Sequence, residues 1–82
     1  MMRITVQFFS QLKEIVGTGE TTIDLGDGAT VADLLAQLYR AHPALEKWER
    51  NILVGAGVEF VARDYLIQPN DQIAIMSPVQ GG

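Results

Sequence analysis

The sequence predicts an α+β domain: a mixed sheet of four or five strands with one main helix packed on one face. Three observations carry that expectation. Polar and apolar residues alternate near both ends of the chain, over residues 3–8 and 72–76, with the period of half-buried strands. Between them Val31, Leu34, Leu35, Leu38 and Tyr39 recur at the i, i+3, i+4, i+7, i+8 spacing of one helix face. The other apolar runs are short and are separated by Gly, Pro and Asn, the residues of turns.

In the first strand Ile4, Val6 and Phe8 face the core, which leaves Phe9 out of step. Ser10 is expected to cap a short helix whose inner side carries Leu12, Ile15 and Val16, with Gly17 closing it and Gly19 keeping the turn open. Residues 20–25 return as a second strand with Thr21, Ile23 and Leu25 on one face. After the loop Gly26-Asp27-Gly28, Thr30 and Asp33 form a capping-box pattern that starts the main helix, and Pro43 stops it with His42 biased toward an extended conformation.

Residues 44–49 read as a short helical piece with Leu45 and Trp48 inward. A third strand over 52–56, a turn at Gly57 and a short fourth strand over 59–62 follow. Residues 64–66 form a single turn, with Leu66 or Ile67 plugging the core edge. Asn70, which tolerates positive φ, sits in a turn before the last strand. There Ile73 and Ile75 point inward, Met76 is out of step like Phe9, and Pro78 ends regular pairing. The expected division is a folded domain over 1–76 and a flexible tail over 77–82 ending Gly81-Gly82.

Eighty-two residues make one domain, and an apolar fraction of 48% is ample for a core. A chain with no cysteine has no disulfide, no thiolate chemistry and no Cys-based zinc site. A net charge of −4 argues against nucleic acid as a partner and for a basic surface on any protein partner. No apolar run is long enough to span a membrane and no targeting segment stands out, so the expected compartment is the cytoplasm.

His42 is the one histidine, so a His-based nucleophile triad would have to use it, and its place beside Pro43 reads instead as a helix-end cap. The glycines at 17, 19, 26 and 28 lack the later positions of a phosphate-binding loop, and the acidic residues are scattered, so neither a nucleotide nor a metal site is expected. A self-contained enzyme is therefore not expected. The out-of-step residues matter more. If the first and last strands run parallel and adjacent, Phe9 and Met76 lie together beside the tail, and Phe60 can join them as an apolar partner surface. A Gly-Gly end has no side chains to obstruct another protein's active site, and its carboxylate is a chemical handle.

These pieces together resemble the ubiquitin-like β-grasp fold. Residues 6–17, with the double Phe before a short helix, are similar to the opening of the molybdopterin synthase small-subunit family, as are Thr30-Val31 with Leu34 and the ending Ser77-Pro78-Val79-Gln80-Gly81-Gly82. The family often has Arg where Lys13 stands, Pro where Ser77 stands, Asn near Gly57, and Gly-Asp where this chain has Asn70-Asp71. The resemblance implies a sulfur carrier with no bound cofactor. A ubiquitin-activating-type adenylyltransferase would spend ATP on the Gly82 carboxylate. A persulfide would then convert it to a thiocarboxylate, and the tail would enter the large subunit of molybdopterin synthase, in a heterotetramer, to donate sulfur to a pyranopterin precursor. The large subunit would supply the catalytic residues. On this resemblance Gly82 and Gly81 carry the chemistry, and Phe9, Lys13, Phe60, Met76, Pro78, Val79 and Gln80 meet the partners. A thiamine-pathway sulfur carrier, a ubiquitin-like protein modifier and a plain binding module are the alternatives. They differ from it in the acceptor, in conjugates on lysines and in indifference to loss of Gly82, respectively.

Overall fold

The structure is a computed structural model that describes residues 1–78. The expectations placed on Val79, Gln80, Gly81 and Gly82 lie outside those residues. Eight elements follow in order: β1 (Met2–Phe8), α1 (Ser10–Val16), β2 (Glu20–Leu25), α2 (Val31–Ala41), a 3-10 segment (Pro43–Asn51), β3 (Leu53–Ala56), β4 (Glu59–Val61) and β5 (Gln72–Met76). The sheet has five strands in the order β2-β1-β5-β3-β4. β1 and β5 run parallel, with Phe8 opposite Ile75, and the other neighbouring pairs are antiparallel. The mixed sheet and its single long helix are therefore as the alternation and the helical stripe predict.

The core forms where the strand and helix patterns meet. Ile4, Val6 and Phe8 of β1, Val54 of β3 and Ile73 and Ile75 of β5 are buried with Val31, Leu34, Leu35 and Leu38 of α2. Leu12 of α1 and Leu45 of the 3-10 segment close the same cluster, and Ile67, rather than Leu66, is the plug at its edge. Because the side-chain period of a strand is two, each inward residue leaves its neighbour on the opposite, helix-free face.

α2 is held at its start by both halves of the expected box. The Asp33 N–H donates to Thr30 Oγ1 at 3.3 Å, and the Thr30 N–H donates to Asp33 Oδ2 at 2.9 Å. Two further first-turn donors, the N–H groups of Val31 and Ala32, reach the carbonyls of Tyr65 and Arg63 on the connection between β4 and β5. That crossing segment thus caps the helix and delivers Ile67 to the core.

One local expectation is corrected and two are refined. Ser10 is not the cap of α1: Phe9 is, with extended φ and ψ of −126° and 159°, and no side chain caps the helix. The Phe9 N–H donates to the Ile75 carbonyl at 3.0 Å, which keeps Phe9 in the β conformation, and the sharp turn then falls on Ser10 at φ 57°. Asn70 does not take positive φ. Its turn is closed by Asp71, whose Oδ2 accepts from the Gln68 N–H and the Tyr65 hydroxyl, each at 2.8 Å. His42 caps α2 through its backbone N–H, which donates to Leu38 O at 2.7 Å, and no side-chain cap is formed.

Candidate functional site: the open face of the sheet

The two adjacent phenylalanines separate cleanly. Phe8 is 2% exposed in the core, and Phe9 is 44% exposed on the other side of the sheet. The parallel register that sets Phe8 opposite Ile75 carries Phe9 to the level of Met76, at the end of β5 from which the chain runs on through Ser77 and Pro78. Across the antiparallel pair, Met76 lies opposite Leu53, which is 41% exposed. Phe9, Met76 and Leu53 form one apolar row beside the start of the tail.

A second row lies one level back. Ala74 is opposite Gly55, and Gly55 is opposite Phe60, which is 68% exposed. The β3–β4 hairpin turns at Gly57, with φ 64°, and Val58. A positive φ at Gly57, the first central position of a two-residue loop, with none at Val58, is the type II′ arrangement, and it leaves Val58 fully exposed at the tip. The open face is graded as a result. Its β1–β2 half is polar, with Arg3 and Asp24 paired at 3.2 Å, and its β5–β3–β4 half is apolar. Exposed apolar groups gathered on one side of a small domain mark a contact surface.

Lys13 is exposed on α1. Its stem lies over Gly19, where an added Cβ would meet Lys13 Cε at 3.3 Å. With Ser10, Glu14 and Thr18 it lines an open depression of about 530 Å³. Pro78 is exposed, while Ser77 is buried at the sheet's end. The structure thus brings Phe9, Met76 and Phe60 onto one face, with Lys13 and Pro78 exposed.

Leu53, Val58, Ala74 and Gly55 belong to the face and are not among the residues singled out from sequence. Parity carries the signal for two of them, since Leu53 and Gly55 flank the inward Val54. Among the described residues no three His, Asp or Glu side chains come together as a metal-binding group, and no helix is long and apolar enough to cross a membrane.

On the helical side, Tyr39, Glu49 and Arg63 line a depression of about 290 Å³ with Ala32, Leu35 and Ala36. Burial, first, and the nearby Glu49 carboxylate push the Tyr39 phenol up to about 12. Its hydroxyl has no hydrogen-bond partner among the described residues. Arg63 is committed to structure, because its Nη2 donates to the carbonyls of Glu49 and Ile52, each at 3.1 Å, and ties off the 3-10 segment. Tyr65 is raised by its hydrogen bond to Asp71 and serves the same structural end.

Comparison with known proteins agrees with this geometry. The sequence profile of the ThiS family matches residues 6–82. A molybdopterin synthase sulfur carrier subunit of Chlamydomonas reinhardtii is 37% identical, over 99% of this chain and 100% of its own. The crystal structure of SAMP1 from Haloferax volcanii superposes with a TM-score of 0.88 at 31% identity, over 98% of this chain and 99% of that one. A chain in a Helicobacter pylori complex of subunits 1 and 2 of molybdopterin-converting factor shares the fold, with a TM-score of 0.70 at 18% identity, over 99% of this chain and 100% of that one.

Proposed function

The chain belongs to the ThiS family, and from that premise we propose that it is the sulfur-carrier subunit of molybdopterin synthase. The observation that carries the reading is the apolar row of Phe9, Met76 and Leu53, set where β5 leads toward the Gly-Gly sequence. A carrier must be gripped by its body while its end is worked on elsewhere, and a face next to the tail does that. The full-length relative named as such a subunit supports the assignment of the reaction.

In this reading the Gly82 carboxylate attacks the α-phosphate of ATP on a separate adenylyltransferase, releasing pyrophosphate and forming an acyl-adenylate. The terminal sulfur of a persulfide then attacks the acyl carbon and AMP leaves. A thiol cleaves the resulting acyl disulfide, giving the Gly82 thiocarboxylate and a new disulfide on the donor side. Gly81 and Gly82 keep the end thin enough for a channel, and Val79 and Gln80 with Pro78 line its entry into the large subunit. The chain itself holds no cofactor. The large subunit docks on Phe9, Phe60 and Met76, with Lys13 as a charged contact at the edge, and the adenylyltransferase uses the same face.

A second reading, a protein modifier joined to lysines, is favoured by the likeness to the Haloferax modifier protein. The intact mass of the protein isolated from its own cells separates the two. A fraction carrying one sulfur in place of oxygen on the C-terminal peptide is the expected result. Covalent adducts to other proteins' lysines, with no such fraction even when hydrolysis is suppressed, would favour the modifier. Gene deletion identifies the acceptor: loss of molybdoenzyme activity is expected, and a thiamine requirement instead would assign the chain to that pathway.

A further inference from the structure

Gly55 lies in the middle of β3, paired with Ala74 on one side and Phe60 on the other. Glycine in a strand interior weakens the sheet and is usually explained by backbone conformation or by crowding. Neither explanation holds here. Its φ is outside the left-handed region, and a Cβ built on it would meet Glu59 O at 3.6 Å and the Ala74 Cβ at 3.9 Å, both ordinary contacts. Nor is the missing side chain replaced by the ring across the strand, because no atom of Phe60 comes within 4 Å of that Cβ and Phe60 is largely exposed. What the glycine leaves is space: an open cavity of about 130 Å³ floored by Gly55 and Ala74 and walled by Val58, Phe60 and Met76, with Glu59 also lining it.

We infer that Gly55 is a specificity-determining residue, which opens a socket for one apolar side chain of the large subunit, of Leu, Met or Phe size. The walls are apolar, which selects that class of side chain. The socket is continuous with the row of Met76, Phe9 and Leu53, since Met76 belongs to both. An anchor seated in a pocket at the centre of a flat face is where binding energy concentrates. The inference rests on the carrier reading, because the occupant belongs to the large subunit.

The test is a size series, Gly55→Ala, Gly55→Val and Gly55→Leu, with Gly26→Ala as control. Gly26 lies in the loop after β2, and a Cβ there meets nothing within 4 Å. Each full-length variant is titrated calorimetrically with the recombinant large subunit from the same organism and melted separately. Stability and binding move in opposite directions if the inference holds. Tm stays level or rises, since Ala and Val suit a strand better than Gly. Affinity for the large subunit falls with side-chain volume, by about tenfold or more at Gly55→Leu, the scale of overfilling a packed site. The control binds like the unaltered protein. Undiminished affinity across the series overturns the socket and leaves the carrier reading standing. If the unaltered protein does not bind the large subunit, the carrier reading fails and the socket fails with it.

Discussion

Phe60→Ala separates what the open face does for folding from what it does for binding. A phenylalanine side chain can bury about 200 Å². With Phe60 68% exposed, roughly 135 Å² of that remains for a partner to cover, and about 65 Å² is already covered by the fold. At about 25 cal/mol per Å², truncation costs folding up to about 1.6 kcal/mol and binding up to about 3.4 kcal/mol. The second figure is more than a hundredfold in Kd, at about 1.4 kcal/mol per decade. Phe8→Ala is the reference. Phe8 is 2% exposed and fully inside the core, so its loss falls on stability, by about 3–5 kcal/mol. Urea denaturation gives the first quantity and calorimetric titration with the large subunit the second. The expected pattern is a small loss of stability with a large loss of affinity for Phe60→Ala, and a large loss of stability for Phe8→Ala. The reasoning is refuted if Phe60→Ala destabilises the fold as much as Phe8→Ala does, or if its Kd is unchanged.

Two further outcomes test the local physics. Ser10, at φ 57°, carries a left-handed strain of about 1–2 kcal/mol. Ser10→Gly therefore leaves stability level or raises it by up to about 1 kcal/mol in urea melts, whereas Gln11→Gly, one residue into α1, lowers it by about 1 kcal/mol; equal losses at both positions would contradict the observed turn. Tyr39 gives a pH dependence with a definite sign. Its phenol is near 10 when unfolded and about 12 in the native protein, so the native state holds the proton longer. The stability this contributes is complete below pH 10 and is lost as pH rises through 12. Alkaline melts should show that decline for the unaltered protein and a shallower one for Tyr39→Phe, and an identical decline in both would locate the titration elsewhere.

How far the fold can be read in the sequence depends on the range of the interactions that set each part. β1, β2 and α2 are written locally: alternation fixes which faces of the strands are buried, and Thr30 with Asp33 fixes where the helix begins. Parity also places Phe9 and Met76 outside the core, because a residue out of step with Phe8 or Ile75 has nowhere else to go. The parts that could not be read are set by partners distant in sequence. Ser10 looks like a cap by every local rule. It fails to be one because Ile75, far along the chain, takes the Phe9 N–H and holds that residue extended. The first-turn N–H groups of α2 and the end of the 3-10 segment are completed by residues 63–65, which no pattern around either helix announces.

Gly55 lies between these cases. Its outward direction follows from the inward Val54, so the sequence says which face it is on. Whether the position is empty or filled depends on the ring of Phe60 across the strand, and only the three-dimensional arrangement shows that the ring stands clear. The same distinction governs the whole face. Alternation can say that Phe9, Leu53, Phe60 and Met76 are not needed by the core, but the β2-β1-β5-β3-β4 order is what gathers them into one surface. Had β5 paired at the outer edge of β2 instead, Phe9 would be parted from Met76 and Leu53 by the polar outward residues of β2, such as Asp24. Strand order, set by the parallel pairing of the two ends of the chain, is therefore the step that gathers four apolar side chains the core does not need into one surface beside the strand end that leads toward Gly82.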